Sequence, residues 1–191
     1  MAKCAIFLAN GFEDTEAVAT CDVLRRAENL KPGSFPVVEY VSLNASLEVT
    51  GRWGTKLTAD RTFSDFNFSD YDALILPGGT DGVAAMMENT VLLDGIKAHA
   101  AGGKTVAAIC AAPQILGKLG LVDNKDVTFY PGCDQYLDKA IKRPTAAAIE
   151  DGNIITGSSI GGALMFGLQI VDHFTSTETM LELHQKLVFN E

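Results

Sequence analysis

The sequence predicts a doubly wound α/β fold, in which helices cover both faces of a mostly parallel sheet. Short apolar runs recur along the chain and are typical of strands that are buried on both faces. Segments with helical periodicity separate these runs. Several runs end in glycine-rich or acidic turns, as expected where strands pass into helices. We expect residues 1–191 to form a single domain, because this length suits one hydrophobic core.

The first part of the chain begins with a strand and a helix. The run KCAIFL, Lys3–Leu8, predicts the first strand, and the apolar pattern over residues 14–27 predicts a helix with Cys21 on its apolar stripe. A second strand is predicted over residues 37–43. The stretch LEVTGRWGTKLTAD carries two glycines between β-rich flanks and predicts a small β-hairpin. YDALILPGG then predicts a third buried strand that ends in a Pro-Gly-Gly turn.

The second part of the chain continues the alternation. We predict a helix over Thr90–Ala101, a strand over 104–109, a helix over 111–119 closed by Gly120, short strands over 127–129 and 146–149, and a further strand at GNIITG. Two closing helices are predicted over 161–174 and 177–188. In the second of these, Thr177 is the expected N-cap, and Met180 and Leu181 are expected to face inward.

Charge and cysteine content exclude several classes of function. The net charge of −9 and the pI near 4.7 argue against nucleic-acid binding and against binding to anionic membranes as the main task. The apolar run near the start is too short for a signal sequence or a membrane span, so we expect a cytoplasmic protein. The four cysteines form no C-x-x-C pair and have no histidine at zinc spacing. They are therefore expected to be packing or reactive thiols, with no metal site.

Three stretches follow predicted strands and should meet at the carboxyl edge of the sheet, where such folds bind ligands. They are NGFEDTE, PGGTDG and CAAP. The last contains Cys110, at a turn from strand to helix, which is the position of a nucleophile elbow. The N–H groups of the following helix favour a thiolate there, whereas the alternative is an inert thiol that closes a buried strand.

Glu16 is the carboxyl group that could act with this thiol. Glu13 and Asp14 are expected to be ordinary acidic residues of a first helical turn. Glu16 lies further along the helix and could point to Cys110, if the first strand and the strand before Cys110 are neighbours. A protonated, buried carboxyl would donate a hydrogen bond to sulfur, whereas an ionised one would raise the pKa of the thiol.

Backbone donors complete the predicted site. The Gly78–Gly79 pair allows a backbone N–H to approach closely, and with the N–H of Ala111 it could form an oxyanion hole. The alternative interpretation of this pair is a tight turn that needs positive φ.

Together, GFEDTEAV, LPGG and AAICAAP resemble the ThiJ/PfpI superfamily, in the branch of the Parkinsonism-associated protein DJ-one and its bacterial relatives. The resemblance extends to GNIITGSSIGGALMFGLQIVD and so covers nearly the whole chain. It implies a flavodoxin-like fold, a homodimer and no metal or organic cofactor. It also implies that Cys110 is the nucleophile, that Glu16 is its protonated partner, and that Gly79 and Ala111 are backbone donors. The implied activities are glyoxalase-like conversion of methylglyoxal to lactate, deglycation of early protein adducts, chaperone action and oxidation sensing.

The sequence departs from parts of that superfamily. Protease-like members have a histidine after the nucleophile, where this chain has Ala111, so peptide hydrolysis is not expected. His99, His173 and His184 fall in predicted helices and are expected at the surface. Tyr130, in TFYPG, matches the place of a histidine in the Parkinsonism-associated protein. Its phenol is a poor base at neutral pH but could orient a substrate.

Cys133 is a possible second thiol of the site. It follows Tyr130 closely and could resolve a sulfenic acid on Cys110 as a disulfide. Three hypotheses remain open from the sequence. The first is a thiol enzyme that acts on small aldehydes or glycated protein side chains. The second is a redox sensor or chaperone whose Cys110 oxidises to sulfinate. The third is a domain with an inert Cys110. The residues favour a reactive cysteine, and we lean to the enzyme.

Overall fold

The computed structural model describes residues 1–35 and 37–189. Its strands are β1 (Lys3–Leu8), β2 (Val37–Ser42), β3 (Glu48–Thr50), β4 (Lys56–Thr58), β5 (Arg61–Thr62), β6 (Ala73–Leu76), β7 (Thr105–Ile109), β8 (Asp126–Val127), β9 (Ile141–Lys142), β10 (Ala148–Asp151) and β11 (Ile154–Gly157). Its α-helices are α1 (Asp14–Leu30), α2 (Thr80–Glu88), α3 (Thr90–Ala101), α4 (Pro113–Lys118), α5 (Ala163–Phe174) and α6 (Thr177–Leu187).

A seven-stranded sheet organises the molecule, with strand order β10-β11-β7-β6-β1-β2-β5. Every pairing in it is parallel except that of β10 with β11. The predicted hairpin is present as the antiparallel pair β3–β4, and β8 pairs with β9 in a separate small sheet. The doubly wound α/β class predicted from the sequence is confirmed.

Helices cover both faces of the sheet, and the side chains of the central strands alternate between two cores. In β1, Ile6 and Leu8 point to the core formed with α1, α5 and α6, whereas Phe7 points to the core formed with α2, α3 and α4. This alternation explains the unbroken apolar run, because each face of β1 is covered. Cys21 lies in the first core and is buried, as its position on the apolar stripe predicted.

Several local predictions are wrong. Helix α2 was not predicted from the sequence, and α4 begins at Pro113 rather than at residue 111. The N-cap of α6 is Ser176, whose hydroxyl accepts from the N–H of Thr179, so Thr177 is the first helical residue. Leu181 is exposed rather than inward-facing; Leu183 takes the buried position.

The histidines also differ from expectation. His99 is buried rather than at the surface, and burial lowers its pKa. His173 is partly buried. Its Nε2 lies 2.9 Å from Thr105 Oγ1, and its Nδ1 lies 2.8 Å from Glu150 Oε1.

The topology places three strand ends side by side. The chain runs from β1 outward to β2 and then returns to β6 on the other side of β1, so the winding reverses between β1 and β6. The next strand outward is β7. The turns after β1, β6 and β7 therefore converge at the carboxyl edge, as the sequence predicted.

Candidate active site

Cys110 occupies a strained turn directly after β7. Its φ is 66°, a left-handed value that non-glycine residues seldom adopt. Two backbone hydrogen bonds hold this conformation: the N–H of Cys110 donates to the carbonyl of Gly157, and the N–H of Tyr130 donates to the carbonyl of Cys110, both at 2.9 Å. The half-buried thiol therefore stands at the mouth of the sheet, in the geometry of a nucleophile elbow.

The pKa of Cys110 is raised, whereas the N–H groups of the following helix were expected to favour a thiolate. Burial, followed by the negative charge of Glu16, raises the pKa of the thiol above its ordinary value. The N–H of Ala111 donates toward the sulfur and acts in the opposite direction, but α4 begins only at Pro113 and has six residues. Burial and an ionised Glu16 therefore both disfavour a thiolate at Cys110.

Glu16 is wholly buried behind the thiol. Burial raises its pKa to about 7, although hydrogen bonds from Gly78 and Cys110 oppose this shift. Its Oε2 accepts from the N–H of Gly78 at 2.8 Å. Oε1 is buried without a partner at regular hydrogen-bond geometry in the described part of the chain, and the Cys110 thiol is the neighbouring group that can supply one.

Gly78 explains how Glu16 reaches Cys110. From the sequence, this contact was expected only if β1 and β7 were neighbours, but β6 lies between them. A Cβ atom at Gly78 would lie 2.7 Å from Glu16 Oε2 and 2.7 Å from Cys110 Cβ. Because glycine has no side chain, the carboxyl and the thiol can interact across the end of the intervening strand.

The ionisation states of Glu16 and Cys110 depend on each other. While Glu16 keeps its proton it can donate a hydrogen bond to a thiolate; once it ionises, its charge holds the thiol in the protonated form. Ionisation of Glu16 therefore disfavours the thiolate of Cys110.

Gly79 provides a second backbone donor beside the thiol. Its φ of 91° and its close approach to the carbonyl oxygen of Gly11, 2.2 Å from a hypothetical Cβ, explain why glycine is needed. Among the described residues its N–H has no hydrogen-bond partner. The N–H groups of Gly79 and Ala111 are the two predicted backbone donors, and both residues line the same cavity.

That cavity has a volume of about 280 Å³ and contains most of the predicted site. Gly79, Cys110, Ala111, Tyr130 and Cys133 all line it. Glu16 does not line the cavity and lies behind the thiol. None of the three histidines lines it.

The β3–β4 hairpin supplies a part of the wall that was not predicted from the sequence. Arg52 and Trp53, at its tip, line the cavity. The indole N–H of Trp53 donates to Glu13 Oε1 at 3.1 Å, and its backbone N–H donates to Asp14 Oδ2 at 3.0 Å. The sequence feature that could have indicated this wall is the Arg-Trp pair between two turn glycines, because residues at loop tips often take part in binding sites.

Asp14 differs from the expected role of a simple first-turn residue. Its carboxylate accepts the N–H groups of Trp53 and Thr55, each at 3.0 Å, so it fastens the hairpin to α1. Burial raises the pKa of Asp14, but these hydrogen bonds outweigh burial and lower it overall. Gly51 is required here, since a Cβ atom would lie 2.5 Å from this carboxyl group.

Metal sites and membrane spans are absent from residues 1–35 and 37–189. These residues contain no cluster of three or more His, Cys, Asp or Glu side chains arranged to hold a metal ion. They also contain no helix long and apolar enough to cross a membrane.

Comparison with known proteins identifies relatives along the whole chain. The chain is 32% identical to protein dj-1beta of Drosophila melanogaster over 190 residues, covering 98% of each protein. It is 30% identical to a deglycase of Pyrococcus horikoshii over 155 residues, covering 81% of this chain and 88% of that protein. The crystal structure of Drosophila melanogaster DJ-1beta superposes with a TM-score of 0.88, at 31% identity and full coverage of both chains. The flavodoxin-like fold implied by the resemblance is thereby confirmed. Residues 2–173 match the DJ-1/PfpI family, and the chain belongs to that family.

Proposed function

We propose that the chain is a cofactor-free thiol enzyme that acts on small reactive carbonyls or on their early adducts with protein side chains. Cys110 is the nucleophile and Glu16 its protonated partner. The observation that carries this proposal is the pairing of a thiol on a strained elbow with a wholly buried carboxyl whose pKa is raised to about 7. The deglycase among the relatives supports the same class of chemistry.

The first step is addition of Cys110 to an aldehyde. The sulfur forms a bond to the carbonyl carbon, the carbon–oxygen π bond breaks, and the proton of the thiol reaches the oxygen through Glu16, giving a hemithioacetal. Gly79 and Ala111 both line the cavity beside Cys110, and we assign their N–H groups to stabilise the charge that develops on that oxygen. With methylglyoxal, an internal hydrogen shift and the addition of water yield lactate, so no external oxidant or reductant is needed.

The dimensions of the cavity support a small substrate. Its volume of about 280 Å³ lies below the range of pockets that hold drug-sized ligands. Tyr130 is half-exposed at the wall, where its hydroxyl can orient a carbonyl or hydroxyl group. Because a phenol is a weak base at neutral pH, we assign proton transfer to Glu16.

The test is methylglyoxal consumption by the wild type and three variants. Cys110→Ala should abolish turnover, and Glu16→Gln should lower kcat by about 100-fold or more, as is typical when a general acid–base group is lost. Cys21→Ala removes a buried thiol remote from the cavity and serves as the matched control. Circular dichroism confirms that each variant is folded. Wild-type turnover in Cys110→Ala would overturn the proposal.

The pH dependence provides a second, independent check. The reaction needs the proton on Glu16, so turnover should decline as the pH rises through about 7. Glu16→Gln cannot ionise at this position and should lose that limb of the pH profile. An identical decline in Glu16→Gln and in the wild type would assign the titration to another group.

The second candidate is a redox sensor, with or without chaperone action, in which Cys110 oxidises to sulfinate without physiological catalysis. The buried Glu16 Oε1 favours it, since a protonated carboxyl with a free oxygen can hydrogen-bond to a sulfinate. Ready oxidation of Cys110 by peroxide, combined with no methylglyoxal turnover, would select this candidate over the enzyme.

A further inference from the structure

Cys133 is a second thiol in the cavity, and the proposed carbonyl chemistry leaves it unused. Cys4 and Cys21 are buried in the core formed with α1, α5 and α6. Cys110 and Cys133, by contrast, are both partly exposed and line the same cavity of about 280 Å³. Negative charge on Cys133 would also raise the pKa of Cys110.

A tight turn brings Cys133 to this position. The turn is Tyr130-Pro131-Gly132-Cys133, closed by a hydrogen bond of 2.9 Å from the N–H of Cys133 to the carbonyl of Tyr130. Proline in second place and glycine at φ 85° in third place are the residues that a type II turn requires. The N–H of Tyr130 donates in turn to the carbonyl of Cys110, so only two backbone hydrogen bonds separate the two cysteines.

The turn also has room to move. Residues 130–132 are exposed, and a Cβ atom placed on Gly132 would meet nothing within 4 Å. A disulfide needs Cα atoms within about 7 Å and particular torsion angles. Movement of this exposed proline–glycine turn is what the disulfide requires.

We propose that Cys133 resolves oxidised Cys110, so that the pair reduces hydroperoxides through a reversible intramolecular disulfide. Cys110 attacks the peroxide, the oxygen–oxygen bond breaks, and Cys110 becomes a sulfenic acid as the peroxide leaves as water or an alcohol. The Cys133 thiol then attacks that sulfur, a second water leaves, and the disulfide forms. An external dithiol returns both thiols to the reduced state and is itself oxidised. This activity needs a reactive Cys110 but does not require carbonyl turnover.

The disulfide competes with overoxidation of the same sulfur. A second peroxide would convert the sulfenic acid to sulfinate, which simple thiols do not reverse. Attack by Cys133 removes the sulfenic acid first. Burial, and then the charge of Asp134, raise the pKa of Cys133, so disulfide formation should accelerate as the pH rises above neutrality.

The experiment treats the reduced full-length protein with hydrogen peroxide, quenches it with an alkylating reagent, and maps the cysteine peptides by mass spectrometry. The wild type should yield a peptide pair linked through Cys110 and Cys133, which dithiothreitol releases. Cys133→Ser should yield no such pair and should accumulate sulfinate on Cys110 about fivefold or more faster. Cys21→Ala keeps both cavity thiols and should behave as the wild type.

Turnover supplies the second readout. With dithiothreitol present, the wild type should consume peroxide repeatedly, whereas Cys133→Ser and Cys133→Ala should both become inactivated within a few turnovers. Equal rates of sulfinate formation in the wild type and in Cys133→Ser, or a disulfide that joins two chains, would overturn the proposal. Methylglyoxal consumption, measured on the same preparations, reports separately on the proposed carbonyl activity.

Discussion

Glu16 is a buried carboxyl group, and the cost of burying it in free energy of folding depends on pH. Burial disfavours the carboxylate and raises the pKa from an ordinary value of 4.5 to about 7. The hydrogen bond from the N–H of Gly78 is one of two that oppose the shift. Glu16 can therefore supply a proton to a reaction at Cys110, but its ionised form lowers the stability of the folded protein.

The first prediction concerns stability against pH. The folded protein holds the Glu16 proton more tightly than the unfolded chain. The contribution of this proton to the free energy of unfolding is therefore fully present below pH 4.5 and is lost as the pH rises to about 7. The wild type should lose roughly 3 kcal/mol of unfolding free energy from this group across that window. Urea unfolding at several pH values measures the change, with Glu16→Gln as the reference. A difference between the two proteins that does not change with pH would contradict the prediction.

Gly78 gives a second prediction at the scale of a single residue. In Gly78→Ala, the new methyl group would lie within 2.7 Å of both Glu16 Oε2 and Cys110 Cβ, so the carboxyl and the thiol must separate. Alkylation of Cys110 should lose the pH dependence that Glu16 imposes. Gly54→Ala is the control, since a Cβ atom there meets nothing within 4 Å, although its φ of 93° also adds some strain. An unchanged alkylation profile in Gly78→Ala would show that the two groups are not coupled.

The β3–β4 hairpin lines the cavity, and the turn after β1 and the start of α1 hold it. Asp14 accepts two backbone N–H groups from the hairpin, and Gly51 allows the close approach. The structure thereby gives a helix-terminal carboxylate a tertiary role. The N–H of Arg52 donates separately to the carbonyl of Phe12 at 2.8 Å, so Asp14 chiefly fixes the tip of the hairpin at Trp53.

The prediction for this element is that Asp14→Ala loosens the tip of the hairpin around Trp53. Loss of two hydrogen bonds to a charged acceptor should destabilise the protein by about 1–3 kcal/mol. Trp53 is the one tryptophan of the chain, so the anisotropy of its fluorescence reports directly on the hairpin and should fall. Asp22→Ala, which breaks only an exposed ion pair with Arg26, should leave the anisotropy unchanged. The same drop in both variants would mean that Asp14 does not hold the hairpin.

Elements differ in how far sequence alone could identify them. The buried strands β1, β6 and β7 were predictable because a short, unbroken apolar run that ends in a turn is typical of a strand covered on both faces. Helix α2 was not, since its glycine, alanines and methionines after a Gly-Gly turn carry little amphipathic pattern. The N-cap of α6 was off by one residue because Ser176 and Thr177 are both good capping residues, and only the hydrogen bond distinguishes them.

For the whole molecule, topology explains why the candidate site could be assembled from the sequence. Parallel strands deliver their carboxyl ends to one edge, so the turns after β1, β6 and β7 had to meet. The reach of Glu16 across β6 was not predictable, because it depends on strand order and on the missing side chain of Gly78. The hairpin wall likewise depends on tertiary contacts of Asp14, which no periodicity reveals.

We propose that two copies of the chain form a homodimer. Helix α1 carries an apolar strip at Val18 and Ala19 beside Leu164, and Val18 is 42% exposed. Covering this strip with a second copy would remove apolar surface from water.

Sedimentation should therefore give a mass twice that of the 20.3 kDa chain, and the thermal midpoint should rise with protein concentration. Val18→Glu would place a charge within the contact and should yield a monomer. Val91→Glu makes the same change at a 64% exposed position of α3, on the opposite face of the sheet, and should remain dimeric. A monomeric wild type, or a dimer that Val18→Glu leaves intact, would exclude the α1 face as the contact between copies.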